Sequence, residues 1–426
     1  MESYHFLLDI ALILLSTKVF GLITKKFQMP QVVGALLAGL LLGPAVLGWI
    51  KETEFLDQIS ELGVIVLMFS AGLETDVKEL KKTGVASFVI ALIGVLVPLA
   101  GGFGLACFFN RPGMIESDVS ASLFLQNMFI GVILTATSVS ITVESLKEMG
   151  KLNTRAGNAI LGAAVIDDIL GIIALTLVTS MTDPTVNVLV VLGQIVLFFA
   201  FAIGAGLLFY LFFKHWIAHY ERDMRRFVIV AFVFCLLLSY VAEEWFGVAD
   251  ITGAYIAGLM ISNTQRSKYV AARFGTLSYI LLSPIFFASI GLKVALPSMT
   301  GTVILFAVLL VIVAVLTKVI GCGLGAKLMK FSNRESLQIG VGMISRGEVA
   351  LIVANKGNAV GLMSSSLFGP VVIMVVATTI ITPIVLKLVF AMHYEETTVE
   401  NRLAASYEEI ENIHKGSGRG QKIKKS

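Results

Sequence analysis

Long apolar runs dominate the chain and recur thirteen times, near residues 6–23, 31–49, 59–74, 84–109, 122–146, 156–181, 187–213, 226–245, 251–263, 275–292, 301–325, 335–355 and 366–392. Most reach the ~20 residues a helix needs to cross a hydrocarbon core. The ten-residue alternation of a transmembrane barrel is missing. The pattern predicts an all-α polytopic membrane protein. The ninth run is short, and Ser283-Pro284 interrupts the tenth.

Polar positions inside the runs are few and patterned. The fifth run contains Thr135-Ala-Thr-Ser-Val-Ser-Ile-Thr142, and the twelfth contains Gly342-Met-Ile-Ser-Arg-Gly-Glu-Val349. Thirteen runs divide into two six-helix halves joined by the seventh, which puts these two stretches at matching places in halves of inverted topology. Paired weak-helix interruptions of this kind predict broken helices around a transport site. The second run, Pro30 to Pro44, carries Gly34, Gly39 and Gly43, which permit close helix contact.

The most informative polar position is a pair. Asp167 and Asp168 sit near the middle of the run 156–181. A charged residue at mid-bilayer costs roughly 2.5–3.5 kcal/mol on insertion scales. Two in a row therefore predict a proton or cation site. Adjacent helical residues point about 100° apart, so the two acids occupy different environments. Lys318, within Ala314-Val-Leu-Thr-Lys-Val-Ile-Gly321, is a buried cation that must find a partner or lose its proton. One aspartate is expected to pair with it while the other faces an aqueous funnel. Proton and cation then compete for the same carboxylate. Hard alkali ions need oxygen ligands, and Thr137, Ser138 and unwound carbonyls of the fifth run are the candidates. Arg346 and Glu348 lie at the second interruption and Glu144 lies near the end of the fifth run. These three are expected to compensate helix dipoles or to form a structural bridge, Arg346–Glu348 or Arg346–Glu144, rather than to touch the ion.

Composition agrees. Hydrophobic residues make up 57% of the chain and charged ones 14%, against about 25% charged in soluble domains; the mean hydropathy is +0.89. Cys107, Cys235 and Cys322 lie far apart in apolar runs without a CxxC, which argues against a disulfide or a metal cluster. His5, His215, His219, His393 and His414 avoid the middles of the runs, which argues against a histidine relay. No basic n-region of a cleavable signal precedes the first run. The tail 393–426 is polar and charged, and is expected to be a flexible cytoplasmic segment whose lysines contact anionic headgroups. No nucleic-acid partner and no cofactor are expected.

The basic residues fix a topology. One set of alternate loops holds Lys25, Lys26, Lys78, Lys81, Lys82, Lys147, Lys151, Arg155, Lys214, Arg222, Arg225, Arg226, Arg266, Lys268, Arg273, Lys327, Lys330 and Arg334; the other holds only Lys51, Arg111, Lys293 and Lys356. By the positive-inside rule the rich side is cytoplasmic, so an odd number of crossings places the N-terminus outside and the C-terminus inside, in the cell membrane.

Taken together, Pro30–Pro44, Phe69–Glu74, Thr135–Thr142, Val165–Leu170, Gly253–Gly258, Pro284–Lys293, Thr317–Gly321 and Ser345–Ala350 resemble the second branch of the monovalent cation:proton antiporters, the Nap-type and Kef-type proteins. The resemblance covers residues 1–392. It implies a homodimer of thirteen-helix protomers. Each protomer has a dimerisation or panel subdomain and a six-helix core with two crossed broken helices, and the core moves like an elevator. It implies that Asp168 binds the transported cation (Na⁺ first, Li⁺ or K⁺ as alternatives) and the proton, and that Asp167 pairs with Lys318. Two acids with this lysine are associated with electrogenic exchange. The chain departs from Kef-type members in having Asp167, and no nucleotide-binding domain is expected in its short tail. Other classes fit less well. An intramembrane aspartyl protease needs its two acids on separate helices. An ion-coupled organic solute symporter needs polar contacts for an organic group, and a channel needs a glycine-rich filter; neither is visible.

Overall fold

The structure is a computed structural model that describes residues 4–391 except 28, 76, 112, 116–117, 120, 182–186, 220–223, 265 and 295–298. The chain divides into two units, 1–389 and 390–426; the tail expected at 393–426 lies outside the described residues.

Among the described residues there are sixteen α-helices: α1 (His5–Lys26), α2 (Gln31–Leu42), α3 (Glu54–Glu74), α4 (Val77–Phe109), α5 (Leu123–Thr135), α6 (Val139–Glu148), α7 (Arg155–Ser180), α8 (Val188–His219), α9 (Met224–Phe246), α10 (Asp250–Ser262), α11 (Ser267–Leu277), α12 (Ser283–Leu292), α13 (Gly301–Leu328), α14 (Asn333–Gly342), α15 (Gly347–Ala359) and α16 (Ser365–Ala391). Each of the thirteen apolar runs falls on a helix or a broken helix. Ten helical stretches have the length and hydropathy to cross a membrane, with α5–α6 and α11–α12 each counted as one. α2 and α10 are shorter apolar helices. The protein is a multi-pass membrane protein.

Two differences from expectation have local causes. The second run was expected to be helical to residue 49, but α2 stops at Leu42. Gly43 and Pro44 follow, and a residue before proline is pushed out of the helical region. The chain then folds back, with the Trp49 and Ile50 N–H groups donating to the Leu42 carbonyl at 3.0 Å. The break expected at Ser283-Pro284 is instead a π-helical turn, Ser278–Leu282, leading directly into α12. A widened turn absorbs the proline, which has no N–H to offer, and the Ser278 and Ser283 hydroxyls bond at 2.7 Å.

The helices of residues 1–389 pack in two groups. One core joins α1, α2, α3 and α12 through Ile13, Leu42, Leu56, Ile285, Ala288 and Leu292. Here a Cβ on Gly39 would fall 1.9 Å from the Ala288 carbonyl oxygen, so α2 and α12 cross backbone to backbone. Further helices of this group, α9, α10 and α11, pack around α3. A second core gathers α4, α5, α13, α15 and α16 around Phe129, Ile133, Phe306, Leu310, Ala354 and Val371, with α7 and α14 packed against it. The groups meet where α6 touches α2 and α3 and where Leu40 of α2 and Val294, just past α12, pack on the second core; α8, which packs on α9 and α10, also runs beside α7.

Ion pairs register the ends of the bundle. Lys147 bonds Glu74 at 2.9 Å, the Gln31 N–H donates to the Glu148 carboxylate at 2.8 Å, and Arg155 reaches Glu335 at 3.5 Å. Together these contacts put the loops after α1, α3, α6 and α13 at one end, and they are lysine-rich loops. At another corner Lys293 bonds Asp57 at 2.5 Å and Glu52 at 3.3 Å, which joins two lysine-poor loops. The two sets of contacts sit at opposite ends of α3, Asp57 in its first turn and Glu74 at its last residue.

Candidate functional site: a crossing of two broken helices

The fifth and twelfth runs break as expected. Helix α5 ends at Thr135 and α6 starts at Val139; α14 ends at Gly342 and α15 starts at Gly347. The two gaps lie against each other. The Ser138 N–H donates to the Ser345 carbonyl at 2.7 Å, and the Thr142 hydroxyl donates to the Gly342 carbonyl at 2.7 Å. Gly347 has φ +47°, and a Cβ there would lie 2.4 Å from Ser138. Only glycine meets both the left-handed backbone and the close approach. Each gap frees backbone groups that inside a bilayer must find partners within the protein. These cross-gap bonds satisfy part of that demand.

Helix α7 runs continuously past the crossing, capped by the Thr154 hydroxyl on the Gly157 N–H at 3.0 Å. Asp167 is the thirteenth of its 26 residues, at mid-depth. Lys318 rises from the middle of α13 and is fully buried. Its ammonium donates to Asp167 Oδ1 at 2.7 Å, to the Gly94 carbonyl at 2.9 Å and to the Thr135 carbonyl at 3.0 Å. All three of its donors are thereby used. Asp167 is buried, and Asp168 is half-buried. The structure therefore brings Asp167 and Lys318 together and sets Asp168 on a different side of α7.

Arg346 is also fully buried. Its guanidinium donates to the Ala136 carbonyl at 2.6 Å and to the Ala314 carbonyl at 2.9 Å. A bridge from Arg346 to Glu144 does not form: Arg346 binds backbone carbonyls instead, and Glu144 lies in the middle of α6 with Lys147, Glu148 and Glu74 as its charged neighbours. The side chain of Glu348 lies outside what the structure describes. The alternative role, compensating a helix dipole, is the one Arg346 fills. Thr135 and Ala136 end α5, the negative pole of that half-helix. Lys318 and Arg346 both sit on those carbonyls.

Several oxygens are left over. Thr137 Oγ1, Ser345 Oγ and Asp167 Oδ2 are buried without a hydrogen-bond partner among the described residues. Ser138, the other expected ligand, already shares its hydroxyl with Ser140 at 3.0 Å. Ser345 was not singled out from the sequence, although it lies within the second interruption. A cavity of about 550 Å³ lies elsewhere, between α1, α2, α6 and α12; none of Asp167, Asp168, Lys318 or Arg346 lines it.

Similarity to known proteins extends over nearly the whole chain. The chain is 41% identical to the Na(+)/H(+)-K(+) antiporter GerN of Bacillus cereus, an alignment spanning 91% of this chain and 97% of that protein. It is 38% identical to a Na(+)/H(+) antiporter of Enterococcus hirae, over 89% and 96% of the two chains. The solved structure of the sodium proton antiporter MjNhaP1 from Methanocaldococcus jannaschii shares the fold at a TM-score of 0.65 and 19% identity, covering 92% of this chain and 98% of that one. The family profile described as sodium/hydrogen exchanger, transmembrane, matches residues 11–392, and the chain belongs to that family.

Proposed function

We propose that the protein is a secondary antiporter that exchanges a monovalent cation, Na⁺ first, with Li⁺ and K⁺ as the other candidates, for protons by alternating access. The observation that carries this is the division of labour at the crossing. Asp167 is committed to Lys318 at 2.7 Å, and Asp168, half-buried on another side of α7, is the carboxylate to which we assign cation and proton in turn. A carboxylate next to a bound cation holds its proton less well, so the two ligands exclude each other. Thr137 and Ser345 bring buried hydroxyl oxygens without other partners among the described residues, which suits a hard cation stripped of part of its water. The printed names of the relatives, including a K(+)/H(+) antiporter of Saccharomyces cerevisiae at 29% identity, support the same reading.

The division of the helices into two groups with separate cores supports movement of the group carrying the crossing against the other. Electrogenic exchange requires unequal numbers of protons and cations, so a single carboxylate shared by both ligands does not suffice. The other charged unit at the crossing is the Asp167–Lys318 pair, and we assign the charge imbalance to it. The lysine-rich end faces the cytoplasm of a cell-membrane protein, with the N-terminus outside and the C-terminus inside, and two protomers assemble as a homodimer. The test is proton flux in proteoliposomes on addition of Na⁺, Li⁺ or K⁺, with and without imposed voltage. Flux is expected for at least one cation, with voltage dependence. Absence of cation-driven flux for all three would refute the reading.

A further inference from the structure

The cavity between α1, α2, α6 and α12 holds a carboxylate that the crossing does not use. It measures about 550 Å³, within the range of pockets that enclose small organic molecules, about 300–1,000 Å³. Its walls are mostly apolar and include Leu14, Val32, Ile280, Pro284 and the rings of Tyr279 and Phe287. Four charged side chains line it: Lys18, Glu144, Lys147 and Glu148. Three of them have partners. Lys18 donates to the Tyr279 hydroxyl at 2.8 Å, Lys147 bonds Glu74 at 2.9 Å, and Glu148 accepts the Gln31 N–H at 2.8 Å. Glu144 has neither a hydrogen bond nor an ion pair among the described residues. The charges acting on it are Lys147, already committed, and the like-charged Glu148 and Glu74.

We propose that this cavity binds an amphiphilic organic monocation, whose charged end pairs with Glu144 and whose apolar body fills the space against Tyr279 and Phe287. A carboxylate on an apolar wall without a partner is costly. A small hydrated ion would pair with it but leave the walls wetted. An alkyl or aryl ammonium satisfies both, and the rings add faces for the cation. The site also joins the two helix groups, since Glu144 comes from α6 while the opposite walls come from α1, α2 and α12. An occupant therefore braces one group against the other and slows exchange. That consequence, unlike the binding itself, rests on the alternating-access reading above.

The test uses 4-phenylbutylammonium and its neutral counterpart 4-phenylbutanol on the purified full chain, read by thermal unfolding with no ion gradient. The wild type should show saturable stabilisation by the ammonium. Glu144→Gln should raise its half-saturating concentration at least tenfold, and the alcohol should need at least tenfold more than the ammonium. Ala35→Phe, which fills the cavity and keeps Glu144, should abolish the effect. Equal half-saturation for wild type and Glu144→Gln, an unaffected Ala35→Phe, or no saturable shift would overturn the site. In proteoliposomes the ammonium should slow exchange with the half-saturation seen in binding; binding without slowing overturns the brace. Binding that depends on Glu144 in a protein without exchange would keep the site and reject the antiport reading.

Discussion

Replacing Lys318 with glutamine tests the buried pair at the crossing. Lys318 and Asp167 are 0% and 1% exposed, and the ammonium also serves the carbonyls of Gly94 and Thr135. Removing one partner of a buried ion pair costs about 3–5 kcal/mol, because the other charge stays buried and uncompensated. The glutamine amide recovers at most part of the lost hydrogen bonding. Asp167→Asn should cost less, since the ammonium keeps two carbonyl acceptors. The double variant removes both charges and should recover about 2–3 kcal/mol relative to the sum of the single losses, near the upper end of measured couplings between contacting residues. The assay is reversible unfolding in mixed micelles for all four proteins. Additivity within about 0.5 kcal/mol, the behaviour of independent sites, would refute the pair as a stabilising unit. A Lys318→Gln variant with unchanged stability and unchanged voltage dependence would remove its role altogether.

Three further outcomes are expected. Asp168→Asn should abolish cation-driven proton flux while the purified protein unfolds within a few degrees of wild type; retained flux would move the exchanging site elsewhere. Gly347→Ala should destabilise by about 1–3 kcal/mol, the cost of forcing a side chain into a sparsely populated backbone region, because φ is +47° and Ser138 stands 2.4 Å from the added Cβ; a neutral effect would mean that the two gaps are not tightly packed. The third concerns Lys293, beyond the end of α12. Burial works to lower its pKa, but the Asp57 hydrogen bond and the charges of Glu52 and Asp57 outweigh this and hold it above the ordinary lysine value of 10.5. The folded state thus holds this proton more tightly than the unfolded one. The stabilisation is complete below about pH 10 and is lost as pH rises through the raised value. Lys293→Met should therefore unfold earlier than wild type at neutral pH, with the difference shrinking as pH rises past the ordinary lysine value of 10.5; a difference independent of pH would contradict the linkage.

Much of the site was legible in the sequence because its signals are rare inside apolar runs. Two adjacent aspartates, one lysine and two polar interruptions stand out against a background of Leu, Val and Ile, and their depth follows from position along each helix. The partners of Arg346 were not legible. A sequence offers carboxylates as visible partners for a cation, whereas the carbonyls of Ala136 and Ala314 exist as acceptors only after two helices have been placed. Lys318 illustrates the same point: its bond to Asp167 was expected, but those to Gly94 and Thr135 depend on how α4 and α5 lie. The early end of α2 had a signal in Gly43-Pro44, which continuing hydrophobicity through Trp49 and Ile50 obscured. The cavity beside Glu144 had none, because its walls come from four separated segments and its character depends on which charges find partners.

The central claim is that one carboxylate, Asp168, takes either the cation or the proton. The most direct measurement is the apparent cation affinity of wild-type proteoliposomes across pH. Competition for a single carboxylate predicts that affinity is constant on the alkaline side and falls on the acid side, approaching about tenfold per pH unit. A cation affinity independent of pH, with exchange still present, would contradict the shared site.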